Sequence, residues 1–208
     1  MSAAPAPSID VSELGGVTFG PANLLWWGTL GFMLIEGTSL FICVAVYFYL
    51  WRNFHAWPPL HTPRPDLLWP AVQGGLLLVS IWPAILLRRA AQSRALPRLT
   101  LWMSVLLVFV IASTAVRAGE FVSLNCRWDT NAYGSAAWLT LGFHSTLLVV
   151  NLFEVAMILF LLRSRRFEEK FFSDADDSGF YWLFLVASWI PLGAMVFLSP
   201  YLLHGSIT

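Results

Sequence analysis

Long apolar runs alternate with short polar ones along the chain. Five runs are long enough to cross a bilayer, which takes about 20 predominantly apolar residues. They lie near 24–51, 68–88, 99–121, 135–162 and 179–203. The pattern predicts an all-α, polytopic membrane protein: a tail over 1–23 and a five-helix transmembrane domain over 24–208. The second run is the weakest, because Pro83 is expected to kink it. The first two runs are joined by HAWPPLHTPRPDLLWP, whose prolines from Pro58 to Pro70 predict a stiff, extended loop. The run RRFEEKFFSDADDSG, Arg165 to Gly179, mixes both charge signs and reads as a solvated loop between the last two helices. The helices do not repeat one another, unlike the halves of many transporters.

Composition strengthens this reading. The chain is 58% hydrophobic and 12% charged, with a mean hydropathy of +0.69, whereas soluble domains carry about 25% charged residues. Its net charge of zero gives no reason to expect a nucleic-acid partner. Residues 1–20 contain neither Lys nor Arg and no apolar core. They are not expected to be a cleavable signal peptide, but a tail on the membrane surface.

The basic residues set the expected orientation. With the N-terminus inside, the inner segments hold Arg88, Arg89, Arg94, Arg98, Arg163, Arg165, Arg166 and Lys170. The outer side holds Arg52, Arg64, Arg117 and Arg127. The bias predicts an inside N-terminus and an outside C-terminus. Trp26, Trp27, Trp102 and Trp182 then mark inner helix ends, and Trp51, Trp69, Trp128 and Trp138 outer ones, as in an aromatic belt.

Against this background the polar residues inside the runs carry the chemistry. Glu36 lies twelve residues past Leu24, about 18 Å along a helix and near the bilayer midplane. An ionised carboxylate there costs about 3 kcal/mol. It must therefore be sheltered by protein or water, or carry a proton. A neutral Glu bonded to a neighbouring helix and a titrating functional group both satisfy that demand. In the fourth run Thr140, His144, Asn151 and Glu154 are spaced by four, seven and three, which places all four on one helical face. Such a stripe packs against protein. It serves either interhelical hydrogen bonding or a proton or ligand path. Arg117 and Glu120, three apart at the outer end of the third run, are expected to pair or to snorkel to the interface.

The residues give no sign of a cofactor bound by this chain. His144 is the one histidine inside a run, while haem and copper centres need several converging ligands. One His and one distant Glu do not make a metal site. No phosphate-binding glycine loop or nucleophile motif occurs. Cys43 falls in a run and Cys126 in a loop, and no bridge between them is expected.

Four stretches together resemble subunit III of the haem-copper oxidases, the third core subunit of cytochrome c and quinol oxidases. WWGTLGFMLIEGTSLF (Trp26–Phe41) is similar to the family's Trp-Gly start and buried glutamate in a Phe-rich helix. GEFV (Gly119–Val122) is similar to its Glu-Tyr pair, with Phe121 for Tyr. YGSAAWLTLGFH (Tyr133–His144) resembles its Tyr-Gly-Ser and Gly-Phe-His, and FYWLFLVASW (Phe180–Trp189) resembles the opening of its last helix. The resemblance spans roughly residues 10–203 and fits the family's five-helix form, which lacks the first two helices of the longer one. It departs at Leu147, where the family has a second His, at Leu183 and Val186, where it has His and Asp, and at Pro191. These departures mark a divergent branch.

The resemblance implies a non-catalytic accessory subunit of a respiratory oxidase complex in the bacterial inner membrane. Such a subunit packs beside the haem- and copper-bearing subunit I, and subunit II, and supports stability, lipid binding and sustained proton uptake during aerobic electron transport. It implies no haem or copper in this chain and leaves room for bound phospholipid. It aligns Glu36 with the family's carbodiimide-reactive glutamate. Glu36, Glu120, His144, Asn151 and Glu154 are the candidate proton-related or lipid-cleft residues, and no catalytic or metal residue is expected. An accessory or assembly protein of nitric oxide reductases on the same fold is the alternative. A small transporter using Glu36 and His144 is a third reading, which the lack of repeats weakens.

Overall fold

The computed structural model describes residues 17–164 and 168–202. Among these, five helices are long and apolar enough to cross a membrane: α1 (Leu24–Asn53), α2 (Leu68–Gln92), α3 (Leu96–Ser123), α4 (Ala132–Arg163) and α5 (Lys170–Gly193). The described residues contain no strand, so the fold is all-helical, consistent with a polytopic membrane protein. The tail predicted over 1–23 lies outside the described residues up to residue 16. From Val17 onward the segment turns through a short 3₁₀ helix, Gly20–Ala22, into α1.

Local chemistry sets the helix starts. Asn23 caps α1 by accepting the Leu25 N–H, and Asn131 caps α4 by accepting the Gly134 N–H. Pro97 sits in the first turn of α3, where its missing N–H costs nothing. α2 continues unbroken through Pro83, so the expected weak point does not interrupt the helix. At Pro191 the absent N–H frees a carbonyl one turn back. A π-helical turn, Ala194–Leu198, follows, then a last helical turn, Ser199–Leu202.

α5 is the hub. It packs on α1, α2, α3 and α4, while α2 pairs with α3 and α3 with α4. α1 lies outside this group against α4 and α5 and buries only Glu36, Leu40 and Tyr47. Its other large side chains, such as Leu34, Ile35, Phe41 and Ile42, are exposed. So are Phe153, Met157 and Phe160 of α4, as befits surfaces whose solvent is lipid or another subunit.

Two sequence expectations are corrected. The proline-rich linker is not an extended spacer. Trp57 folds back into the bundle, is buried, and donates from Nε1 to the Tyr47 hydroxyl at 2.9 Å. Tyr47, Trp57 and Tyr133 form an edge-on aromatic cluster that holds the loop down. The run from Arg165 to Gly179 is not a solvated loop either, for its described part. α5 begins at Lys170, and Ser173, Asp176, Asp177 and Ser178 are buried against the bundle. Arg88 of α2 holds Asp176 at 3.0 Å, and Gln92 donates to the same oxygen. That pairing across helices is what allows the Asp176 carboxylate into the interior.

Candidate functional site

The candidate residues fall into two groups of buried or half-buried polar side chains. The first centres on Arg117 and Glu120. These residues pair at 2.6 Å, as their spacing predicts, but they do not snorkel. Both are almost completely buried, at 3% and 0% side-chain exposure. The Nη1–Oε2 contact is an ion pair without good hydrogen-bond alignment. Other helices complete it. Trp189 of α5 donates from Nε1 to Glu120 Oε1 at 3.2 Å, and Arg117 donates from Nη2 to His144 Nδ1 of α4 at 2.7 Å.

This last bond fixes the histidine. A guanidinium only donates, so Nδ1 accepts and the ring proton sits on Nε2. From there it is donated to the Leu185 carbonyl at 3.1 Å. His144 is therefore a neutral connector between α3, α4 and α5. It has no free nitrogen for a metal or a migrating proton. Gln73 of α2 and Ser113 of α3 are also buried, with polar atoms that meet no protein partner.

The second group centres on Glu36. It is buried on a helix whose other side chains are mostly exposed, and it accepts a hydrogen bond from the Tyr181 hydroxyl of α5 at 2.8 Å. Glu154 is half-buried and faces Asn151, one turn back on α4, and Ser178 of α5. It lines a cavity of about 320 Å³ together with Tyr181, Gly28, Thr29 and Phe32.

The α4 stripe is thus divided between the two groups. His144 belongs to the first, Asn151 and Glu154 to the second, and Thr140 bonds only to the Ala136 carbonyl of its own helix. Tyr181, Trp189, Asp177 and Ser178 were not singled out in the sequence. Tyr181 and Trp189 lie in the stretch Phe180–Trp189 without a role of their own there, and the other two fall in the stretch read as a loop. A helical projection continued back from Phe180 would have put Asp177 and Ser178 on α5.

Among the described residues no group of three or more His, Cys, Asp or Glu side chains is placed to hold a metal ion. Cys43 and Cys126 are free thiols. Burial pushes the Cys126 thiol, in the loop before α4, up to about 11.

No family model matches the chain. It is similar to cytochrome c oxidase subunit 3 of Synechocystis sp., with 25% identity over 183 residues, covering 86% of this chain and 77% of that protein. It is also similar to cytochrome c oxidase subunit 3 of Strongylocentrotus purpuratus, with 24% identity over 180 residues, covering 77% of this chain and 68% of that protein. Both support the haem-copper oxidase subunit III family. The five long apolar helices are consistent with a multi-pass membrane protein. Glu36 of α1 and Glu120 of α3 are both buried carboxylates, each held by an aromatic donor of α5.

Proposed function

We propose that this chain is a non-catalytic accessory subunit of a respiratory haem-copper oxidase in the bacterial inner membrane. It packs beside a catalytic subunit I, and subunit II, that carry the haem and copper. Its role is to stabilise the complex, hold phospholipid and sustain proton uptake during turnover. The observation that carries this reading is the similarity to two subunit 3 proteins over most of the chain. The exposed apolar faces of α1 and α4 give it surface for subunits and lipid.

The N-terminus lies inside and the C-terminus outside. The burial of Arg117 within the bundle supports this orientation, because it removes one positive charge from the outer side. The end of the bundle that carries the α2–α3 and α4–α5 turns is then the inner end. Residues 1–23 are the cytoplasmic tail and 24–208 the membrane domain. Glu36, Glu120, His144, Asn151 and Glu154 divide into a proton-related group around Glu36 and a structural group around Arg117.

Affinity purification of the tagged chain from its native membrane tests the reading. A partner with O2-reducing haem and copper supports it. Recovery with a nitric oxide reductase supports the accessory protein of that complex instead, and a homo-oligomer alone overturns both.

A further inference from the structure

The group around Glu36 contains more polar atoms than its protein contacts satisfy. Asn151 is fully buried, and neither its Oδ1 nor its Nδ2 has a protein partner of normal hydrogen-bond geometry. The same holds for the Ser178 hydroxyl and for Asp177 Oδ2. Asn151 and Ser178 lie within hydrogen-bonding reach of Glu154 but without good alignment, and Asp177 lies near it. Buried polar groups in native proteins are nearly always paired, and where protein does not pair them, ordered water does. A groove of about 320 Å³ that Glu154 and Tyr181 line lies beside this group. Its other lining residues, Leu25, Gly28, Thr29, Phe32 and Val150, are mostly apolar and several are exposed, so the unpaired buried atoms, not the groove, are what call for water. The groups also form a ladder in depth. Asp177 lies seven residues into α5, Glu154 nine residues from the end of α4 and Glu36 twelve residues into α1, or about 10, 14 and 18 Å from the same end of the bundle.

We propose that Asn151, Glu154, Asp177 and Ser178 enclose bound water which, through Tyr181, connects Glu36 to the end of the bundle where α5 begins, as a proton-transfer chain. Each transfer is balanced within the chain. When Glu36 Oε2 takes the proton of the Tyr181 hydroxyl, the phenol oxygen takes one from the neighbouring water. That water is reprotonated from Glu154, and Glu154 from water held by Asn151, Ser178 and Asp177. The last water regains its proton from bulk solvent at the end of the bundle where α5 begins, so one proton enters the chain, the Glu36 carboxylate is neutralised by it, and no electron moves. The groups facing this chain are Glu36 from α1, Asp174, Asp177 and Tyr181 from α5, and Arg88 from α2, which is itself engaged with Asp176. The assignment deepens the proton-related part of the proposed function and rests on it for its physiological use, but the chain itself can be measured whichever partner is found.

The full chain, with whatever subunits co-purify, is placed in lipid nanodiscs and switched from H2O to D2O. Infrared spectra then follow exchange of the carboxylic acid C=O band that Glu36→Gln removes, at a pH where that band is fully developed. Asn151→Leu and Glu154→Gln are each expected to slow the exchange by roughly tenfold or more. Asn151→Leu is expected to leave the thermal midpoint unchanged or higher, because the buried amide and the water needed to pair it go together. Tyr181→Phe serves as a third variant with the same expected slowing. Exchange at the wild-type rate in Asn151→Leu or in Glu154→Gln overturns the proposal. So does slowing accompanied in every variant by loss of thermal stability, which would mark a merely structural role.

Discussion

The Tyr181 hydroxyl donates to Glu36 Oε2 across the α1–α5 interface at 2.8 Å. α1 is the least enclosed helix, and this bond is its polar attachment to α5 near mid-helix. Tyr181→Phe leaves a buried acceptor unpaired, which costs about 1–3 kcal/mol. A lowered thermal midpoint is expected, along with faster proteolysis or hydrogen exchange in α1 than in α3. Uniform destabilisation of all five helices would contradict the attachment role.

Arg117 and Glu120 are buried together, so removing one strands the other. Arg117→Met and Glu120→Leu singly are each expected to destabilise by about 3–5 kcal/mol. The double variant is expected to recover much of that loss, since an apolar pair needs no desolvation. A double-mutant cycle on thermal or chemical unfolding measures it, and additive losses would argue against direct coupling.

Gly119 of α3 faces the Trp69 ring of α2. A Cβ there would lie 2.4 Å from the Trp69 ring, so Gly119→Ala forces the indole or the helix to move. Such overpacking costs about 1–3 kcal/mol. Trp69→Leu in the same chain is expected to tolerate the alanine better than the native partner does. The comparison of unfolding midpoints for the four combinations checks it.

Cys126 offers a pH test outside the membrane spans. Burial raises its thiol to about 11, so the reactive thiolate is scarce at neutral pH. In a Cys43→Ser background, maleimide labelling is expected to rise about tenfold per pH unit up to about 11. A plateau near pH 9 would mean that the loop exposes the thiol in solution.

The spacing of Thr140, His144, Asn151 and Glu154 gives one face of one helix, but not which neighbours meet that face. His144 finds Arg117 and the Leu185 carbonyl, while Asn151 and Glu154 find α5 near Ser178. Two chemically different surroundings thus lie along a single stripe.

The sequence by itself determined the solvent and the five helices, though not where α5 begins. Apolar runs of this length have one stable form in lipid, where backbone groups must bond within the segment. It also determined that Glu36 needs shelter, because the cost of an exposed carboxylate at that depth follows from its position alone. Only the tertiary structure decided what provides the shelter. Tyr181 is 145 positions away from Glu36 in the chain, and Arg88 is 88 from Asp176. Those pairings depend on which helices lie side by side and how each is rotated. Side-chain packing across the whole bundle sets both, and no local pattern of residues encodes them.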